Sequence, residues 1–344
     1  MLLDYKTTVA ILNWNGQHHL QTYLPSVLQH SEGAAILLID NASTDGSVAW
    51  VKENLPSVEI VINPSNNGFT TGYNLGLKAV KTPYAILLNS DVEVSEGWLD
   101  PLFGRMESDV KIAACQPKVL SYKDKLKFEY AGASGGFIDH LGYPFCRGRV
   151  FNQCETDQLH YQDPREIFWA TGACMMIRMS AFEEVNGLEE QFFAHMEEID
   201  LCWRWHHQGY QIWVEPSSVV FHLGGGTLQE SSPRKTYLNF RNGLTLLFIN
   251  TLTPIVYFKI LLRLLLDGVA GVWFLTKGQG ASCLAVVQAH FSFYKNILYW
   301  KEKRKQNLTN FKTKVPCQLV YPKSIVVSFF ALGKKKFSDL DFDT

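Results

Sequence analysis

The opening stretch of the chain alternates four short apolar runs, residues 8–13, 35–40, 59–63 and 84–89, with amphipathic segments of helical period. Runs of this length are strands, and strands that alternate with helices build βαβ units around a mainly parallel sheet. A polar cluster follows each run at once: Asn13-Trp14-Asn15-Gly16, Asp40-Asn41-Ala42-Ser43-Thr44-Asp45, Asn63-Pro64-Ser65-Asn66-Asn67-Gly68 and Asn89-Ser90-Asp91. Ligands of open α/β sheets bind at the carboxyl ends of the strands, so these clusters are expected to line one site.

From residue 111 to about residue 221 the pattern is mixed, with strand-like runs at 112–120, 167–178 and 211–221, Gly-rich turns and one helix near 197–208. This half is expected to complete the sheet. After Gly226 the apolar stretches 244–249, 255–266 and 269–275 are interrupted by Pro254, Lys259, Arg263 and Asp267. None reaches the length of about 18 uninterrupted apolar residues that a spanning helix needs.

The near-neutral total charge hides an asymmetry. Residues 1–240 hold 17 Lys and Arg against 28 Asp and Glu, a balance of −11, and residues 241–344 hold 15 against 5, a balance of +10. The basic tail carries Arg263, Lys301, Lys303, Arg304, Lys305 and Lys334 to Lys336, together with Trp273, Tyr299 and Trp300. It reads as a membrane anchor lying on an anionic surface, the alternative being a helical bundle packed on the domain with a solvated basic face. Nucleic acid is excluded as its partner, because the charges are interleaved with aliphatic runs and no binding signature accompanies them. The seven cysteines are odd in number, form no C-x-x-C pair and sit mostly in apolar runs, the usage of a reducing, cytoplasmic compartment. Met1 leads straight into the first strand without a secretory signal, so the mature chain is expected to begin there.

Several residues could carry chemistry. Asp40 could accept the imide N–H of a pyrimidine base, or, with Ser43 and Asp45, cap a helix. Residues 66–74 open a helix with small residues and two glycines, suited to phosphate or simply to a turn, and match neither the Walker pattern nor G-x-G-x-x-G. Asp91, just after the fourth strand, is the candidate ligand for a hard divalent cation, with Glu93 in position to assist. Glu197, Glu198 and Asp200 open a helix. Asp200 and Arg204 form an i,i+4 pair and are structural, while Glu197 and Glu198 point about 100° apart, so that only one faces a site. His222 ends the last strand and precedes Gly224-Gly225-Gly226, a loop able to close over a ligand.

In this order the motifs resemble the family 2 glycosyltransferases, and especially the bacterial rhamnosyltransferase-like members that build surface polysaccharides. The likeness runs from about Thr7 to His222. It rests on residues 9–16, 39–46, 66–76, 87–93 and 171–173, the Glu197-Glu198-Ile199-Asp200 stretch and His222. The resemblance implies the GT-A fold, a Rossmann-like mixed α/β sheet flanked by helices, with a catalytic domain at 1–230 and a basic, amphipathic helical extension at 231–344. Within that domain the nucleotide-binding half is about 1–110 and the acceptor half about 111–230.

The resemblance also implies that Asn13, Asn15, Asp40 and Asn66 line the nucleoside pocket, with Asn74 near the donor. Asp91 and His222 would hold Mg²⁺ or Mn²⁺, and Glu198 would be the catalytic base of an inverting transfer. The donor would be a dTDP- or UDP-linked sugar and the acceptor a glycan or lipid-linked hydroxyl, used at the inner face of the cell membrane. Asn89 stands where the family's D-x-D motif has its first Asp, and Glu198 stands where Asp is common. A sugar nucleotidyltransferase is disfavoured by the missing basic triphosphate loop, and a nicotinamide oxidoreductase by the missing glycine fingerprint. A binding protein without activity is the rival of another class.

Overall fold

The structure is a computed structural model, and it describes residues 6–158, 160–224 and 232–342. The four opening strands are β1 (Thr7–Asn13), β2 (Ala34–Asp40), β3 (Glu59–Ile62) and β4 (Tyr84–Asn89), joined through helices α1 (Gln17–His30), α2 (Ser47–Asn54) and α3 (Gly68–Gly76). All four are parallel, in the order β4-β1-β2-β3. Asn13 pairs with Asp40 and Leu12 with Asn89, so the polar ends of β1, β2 and β4 stand side by side. Strand β5 (Val92–Val94) and helix α4 (Leu99–Ser108) follow.

The sheet continues through β6 (Ile112–Ser121), which leads into a smaller group, β7 (Gly136–Asp139), β8 (Pro144–Cys146), β9 (Arg149–Val150) and β10 (Gln153–Cys154). Next come β11 (Arg165–Glu166), β12 (Cys174–Arg178), α5 (Met179–Glu184), α6 (Glu197–Gln208) and β13 (Gln211–His222). The main sheet runs β11-β13-β6-β12-β4-β1-β2-β3, with β5 paired to β13. Strand β12 lies antiparallel to both β4 and β6, which makes the sheet mixed. The apolar run at 167–178 is therefore not one strand. It breaks at Thr171, whose N–H is taken by the Gln116 side chain and whose hydroxyl accepts from Ala173 N, and only its second part pairs in the sheet.

Both faces of the sheet are buried, as parallel sheets require. Val9, Ile11, Leu38 and Ile86 pack with Leu20 and Leu24 of α1 and Leu102 of α4. Ala10, Leu37, Ile39 and Leu87, the alternating residues, belong to the core that holds Tyr73 of α3 and Trp205 of α6.

Helices α7 (Pro233–Asn250), α8 (Val256–Thr276), α9 (Gly280–Lys295) and α10 (Ile297–Asn310) follow, and none among the described residues is long and apolar enough to cross a membrane. The end of the chain then returns to the body. Strand β14 (Val320–Tyr321) adds in parallel to β7, and Ile325 N, at the start of α11 (Ile325–Phe330), donates to Asp139 Oδ2 at 2.9 Å. Two arginines expected on a basic surface are inside: Arg263 is 3% exposed and Arg304 8%. Arg304 donates to the carbonyls of Phe248 and Thr253 near the end of α7, which draws its charge inward.

Candidate active site

On the side of β1 and β2, the polar strand ends hold one another. Asn13 Nδ2 donates to Asp40 Oδ1 at 2.9 Å and Ser43 Oγ at 3.1 Å, while Asp40 Oδ2 accepts from Ser43 N at 2.8 Å. Asp40 thus fixes the β2–α2 turn. Asn15 adopts φ +50°, and its Oδ1 accepts from Thr44 N at 2.7 Å, which ties the β1 turn to the β2 turn. Asn66 Oδ1 accepts from Gly68 N at the entrance of α3. Asn13 Oδ1 is buried with no hydrogen-bond partner among the described residues.

Two residues that the motif reading did not single out complete this side. Asn41 Nδ2 donates to Gly68 O at 3.2 Å, and Asn63 Nδ2 donates to Asn41 Oδ1 at 2.7 Å and Gly72 O at 3.1 Å. Their position directly after β2 and β3 was the available signal. Asn74, in contrast, bonds to the loop before α6. Its Nδ2 donates to Leu188 O and its Oδ1 accepts from Leu188 N, both at 2.9 Å, so the amide is spent as a two-point clamp on the turn before α6.

At the end of β4 the structure brings Asp91, His222 and Asn89 together. His222 Nε2 lies 3.2 Å from Asp91 Oδ1 and 3.4 Å from Asn89 Nδ2, and His222 Nδ1 lies 3.3 Å from Glu129 Oε2. Leu223 N donates to Asp91 O, which locks the end of β13 to the β4 turn. Burial alone would lower the His222 pKa, but the carboxylates of Asp91 and Glu129 push it up to about 10. Burial opposes ionisation of Asp91 as well, and the His222 cation nevertheless holds its carboxyl below the usual range.

Glu129 was not anticipated. It sits in an irregular segment before Gly132, and its signal was only proximity to that Gly-rich turn. Gly224 makes room for it, since a Cβ there would lie 2.9 Å from Glu129 Oε1. Glu93, expected to assist Asp91, is instead paired with Lys125, because its side chain leaves β5 on the face away from buried Val92 and Val94. Gly225 and Gly226 of the expected closing loop lie outside the described residues.

The donor set suits a hard divalent cation. Such ions take one or two protein ligands together with phosphate oxygens, and a histidine ligand normally gives its other nitrogen to a carboxylate. Asp91 and His222 are the two side chains that could hold such an ion, with Glu129 behind His222. Among the described residues no three such groups converge, so diphosphate oxygens would have to complete the shell.

The third part of the site is the start of α6. Phe193, His195 and Met196 have φ of +67°, +69° and +72°, conformations that cost non-glycine residues on the order of 1–3 kcal/mol each. Asn242 of α7, fully buried, holds them: its Nδ2 lies 3.1, 2.9 and 2.7 Å from the carbonyls of Phe192, Ala194 and His195. Phe69 N donates to Phe193 O at 2.8 Å, and Gly68 permits that approach because a Cβ would meet the Phe193 ring at 2.5 Å.

Asp200 is structural, bonded to Arg204 Nε at 2.8 Å and Asn250 Nδ2 at 2.8 Å. Glu197 Oε2, Glu198 Oε2 and His195 Nε2 are buried without a hydrogen-bond partner among the described residues. Burial pushes the Glu198 pKa up to about 7, and burial with the neighbouring Glu198 charge raises Glu197 well above the carboxylate range.

Short contacts join the three parts. A Cβ on Gly172 would lie 3.3 Å from Phe69 and 4.0 Å from Glu198 Cβ, and the next residue, Ala173, accepts from Asn89 N at 3.0 Å. Glu198 and Asn89, whose side chain reaches His222, therefore border the same 171–173 turn. Asn41 and Gly68 link that turn to the Asp40 side through Phe69 and Phe193. A cavity of about 490 Å³ lies elsewhere, between α5, α6 and α10. Its charges are already matched, Arg204 with Asp200, Lys303 with Glu189 and Lys312 with Glu184, so it has little to offer a charged donor.

Residues 8–185 match the model of glycosyl transferase family 2. The chain is 27% identical over 233 residues to an N-acetylglucosaminyl-diphospho-decaprenol L-rhamnosyltransferase of Mycobacterium tuberculosis, across 62% of this chain and 75% of the relative. It is 22% identical over 241 residues to the low-salt glycan biosynthesis hexosyltransferase Agl10 of Haloferax volcanii, across 68% and 73%. The solved structure of GalNAc-T7 with UDP, GalNAc and Mn²⁺ shares the GT-A fold, with a TM-score of 0.55 at 18% identity over 71% of this chain. This chain spans 48% of that protein's length. The family match ends before Glu198 and His222.

Proposed function

The chain belongs to glycosyl transferase family 2, and from that premise we propose an inverting, metal-dependent transfer from a nucleotide-diphosphate sugar to a lipid-linked glycan, in the building of a cell-surface polysaccharide. Asn13, Asn15, Asp40 and Asn66 bind the nucleoside, with the Asp40 carboxylate accepting the imide N–H of uracil or thymine. Asp91 and His222 would hold Mg²⁺ or Mn²⁺, and Glu129 would orient His222. When bound, the cation neutralises the charge that gathers on the departing diphosphate.

The observation that carries the reading is Oε2 of Glu198: a buried carboxylate oxygen with no hydrogen-bond partner among the described residues, on a side chain beside the turn that also holds Asn89. Its unengaged oxygen accepts the proton of the acceptor hydroxyl as that oxygen attacks the anomeric carbon. A base with a pKa near neutrality fits this task. Burial and the neighbouring Glu198 charge oppose ionisation of Glu197, which disfavours a second negative charge beside the base. Attack from the face opposite the leaving diphosphate inverts the anomeric centre.

We assign the donor half to residues 1–110, the acceptor half to 111–230 and the remainder to an extension. The decaprenol named in the mycobacterial relative supports a lipid-linked acceptor. The buried thiols of Cys115, Cys146, Cys174 and Cys202 support work at the inner, reducing face of the membrane.

The test is Glu198→Gln, which keeps the shape and removes the base. Turnover should fall ~10²–10⁴-fold, about 3–5 kcal/mol of barrier, while nucleotide binding persists. Sugar transfer at the normal rate would remove Glu198 from the mechanism.

A further inference from the structure

Helix α8 is turned inside out. Arg263 and Asp267, one turn apart, are 3% and 1% exposed, and Lys259, one turn earlier, is half-buried. These charges meet a polar network on the body. Arg263 lies 3.7 Å over the Tyr143 ring and donates to Leu141 O, Tyr143 Oη donates to Asp267 Oδ1 at 3.0 Å, and His290 of α9 lies 3.3 Å from Asp267 Oδ2. The opposite face carries Phe258, Leu261, Leu265, Val269, Val272 and Trp273, each more than half exposed and at helical spacing.

Helix α9 runs antiparallel to α8, since the pairs Asp267/His290 and Gly271/Cys283 progress in opposite directions. It extends the apolar face with Leu284 and Phe291, 56% and 74% exposed. Of 24 exposed large apolar side chains among the described residues, 15 lie between residues 255 and 299, so this is a patch and not scatter.

Charge selects the occupant. From Ser231 to Lys301 the sequence contains a single acid, Asp267, and it is spent inward. The exposed charges on and beside the hairpin are Lys277 at the α8–α9 turn, Lys295 at the other end, and Lys301, while Arg234, also exposed, lies at the start of α7 over the Phe193 ring. Lys277 sits 4.7 Å over the Trp273 ring, an aromatic and a cation together at one end of an apolar strip. We propose that the α8–α9 hairpin docks flat on an anionic lipid bilayer, its apolar face at the headgroup–acyl boundary and Lys277 and Lys295 on lipid phosphates. A second copy of the chain fits less well, because a two-fold contact through this face would bring lysines together with no acid between them.

The hairpin also adjoins the acceptor side of the site. Tyr237 of α7 donates to Ser292 of α9 at 2.8 Å, and Asn242, further along α7, holds the loop before Glu198. Docking does not depend on the sugar-transfer reading. Only its purpose, bringing the enzyme to a lipid-linked acceptor, rests on it.

Flotation of the full chain with phosphatidylcholine vesicles, with and without phosphatidylglycerol, tests the proposal. The chain should float with both and more strongly with the anionic ones. Leu261→Glu with Leu265→Glu, both on the exposed face, should keep the melting temperature and lower vesicle partition by about tenfold or more. Lys277→Glu with Lys295→Glu should remove only the preference for phosphatidylglycerol. A wild-type chain that floats with neither vesicle overturns the proposal, as does flotation untouched by the leucine pair. A dimer in light scattering that the leucine pair splits, without vesicle binding, would give the face to a second copy. If wild type and variant both lack transfer to a water-soluble acceptor while wild type still floats, the sugar-transfer reading fails and docking stands.

Discussion

The two sides of the cleft treat their polar groups in opposite ways. On the β1–β2 side the side chains of Asp40, Asn41, Asn63 and Asn66 bond to neighbouring turns, and the result is a set of loops fixed before any ligand arrives. At the start of α6, Glu197, Glu198 and His195 keep buried atoms without partners, on a backbone held in left-handed conformations by Asn242. A rigid surface, satisfied but for Asn13 Oδ1, suits recognition of a nucleoside whose own bonds do not change along the reaction. Carboxylate oxygens left without a partner suit the step in which a proton must find a new acceptor, and burying them that way costs stability. The fold tolerates this because α7 reaches across to brace the loop.

The contrast can be broken or sharpened by substitution. The largest effect is expected from Asp91→Ala, which should weaken Mn²⁺-dependent donor binding by more than about 100-fold in calorimetric titration, since on the proposed reading it removes a ligand rather than a support. Glu129→Gln should weaken the same binding by roughly 10–100-fold, the usual weight of a carboxylate behind a ligating histidine. An unchanged Mn²⁺ affinity would detach Glu129 from the site.

Asn242→Ala removes this donor from the carbonyls of Ala194 and His195, while Phe192 O keeps Ala194 N and Arg241. It should cost about 1–3 kcal/mol in denaturant unfolding and lower kcat while donor KM stays near wild type. A rise in donor KM with kcat intact would move Asn242 to the other side of the comparison. Asn74→Ala should cost about 1 kcal/mol of stability through the lost Leu188 clamp and leave donor affinity unchanged.

The fold was legible because strand runs and polar turns follow one another at short range. The same regularity exposed Asp40, Asp91 and His222 as strand-end residues, and i,i+4 spacing marked Asp200 and Arg204 as a pair. What stayed hidden depends on distant partners. The clamp that occupies Asn74 is made by Leu188, and the brace on the residues before Glu198 comes from Asn242, neither visible in local spacing. Glu129 belongs to a segment without period, where no face can be assigned. Helix α8 misled in sign: its basic residue counted as surface, yet Arg263 is drawn inward by Tyr143 and Asp267, and the apolar side is the one left outside.

The central claim is that Glu198 accepts the acceptor's proton from an environment that raises its pKa, and the pH dependence of kcat/KM reads it directly. A raised carboxyl is half protonated at about pH 7 and must be ionised to act, so wild-type activity should fall about tenfold per pH unit below that point. Glu198→Gln should lose this acid limb along with most of its rate. A wild-type profile that stays flat from about pH 7 down to about pH 5, or a limb that persists unchanged in Glu198→Gln, would contradict the account.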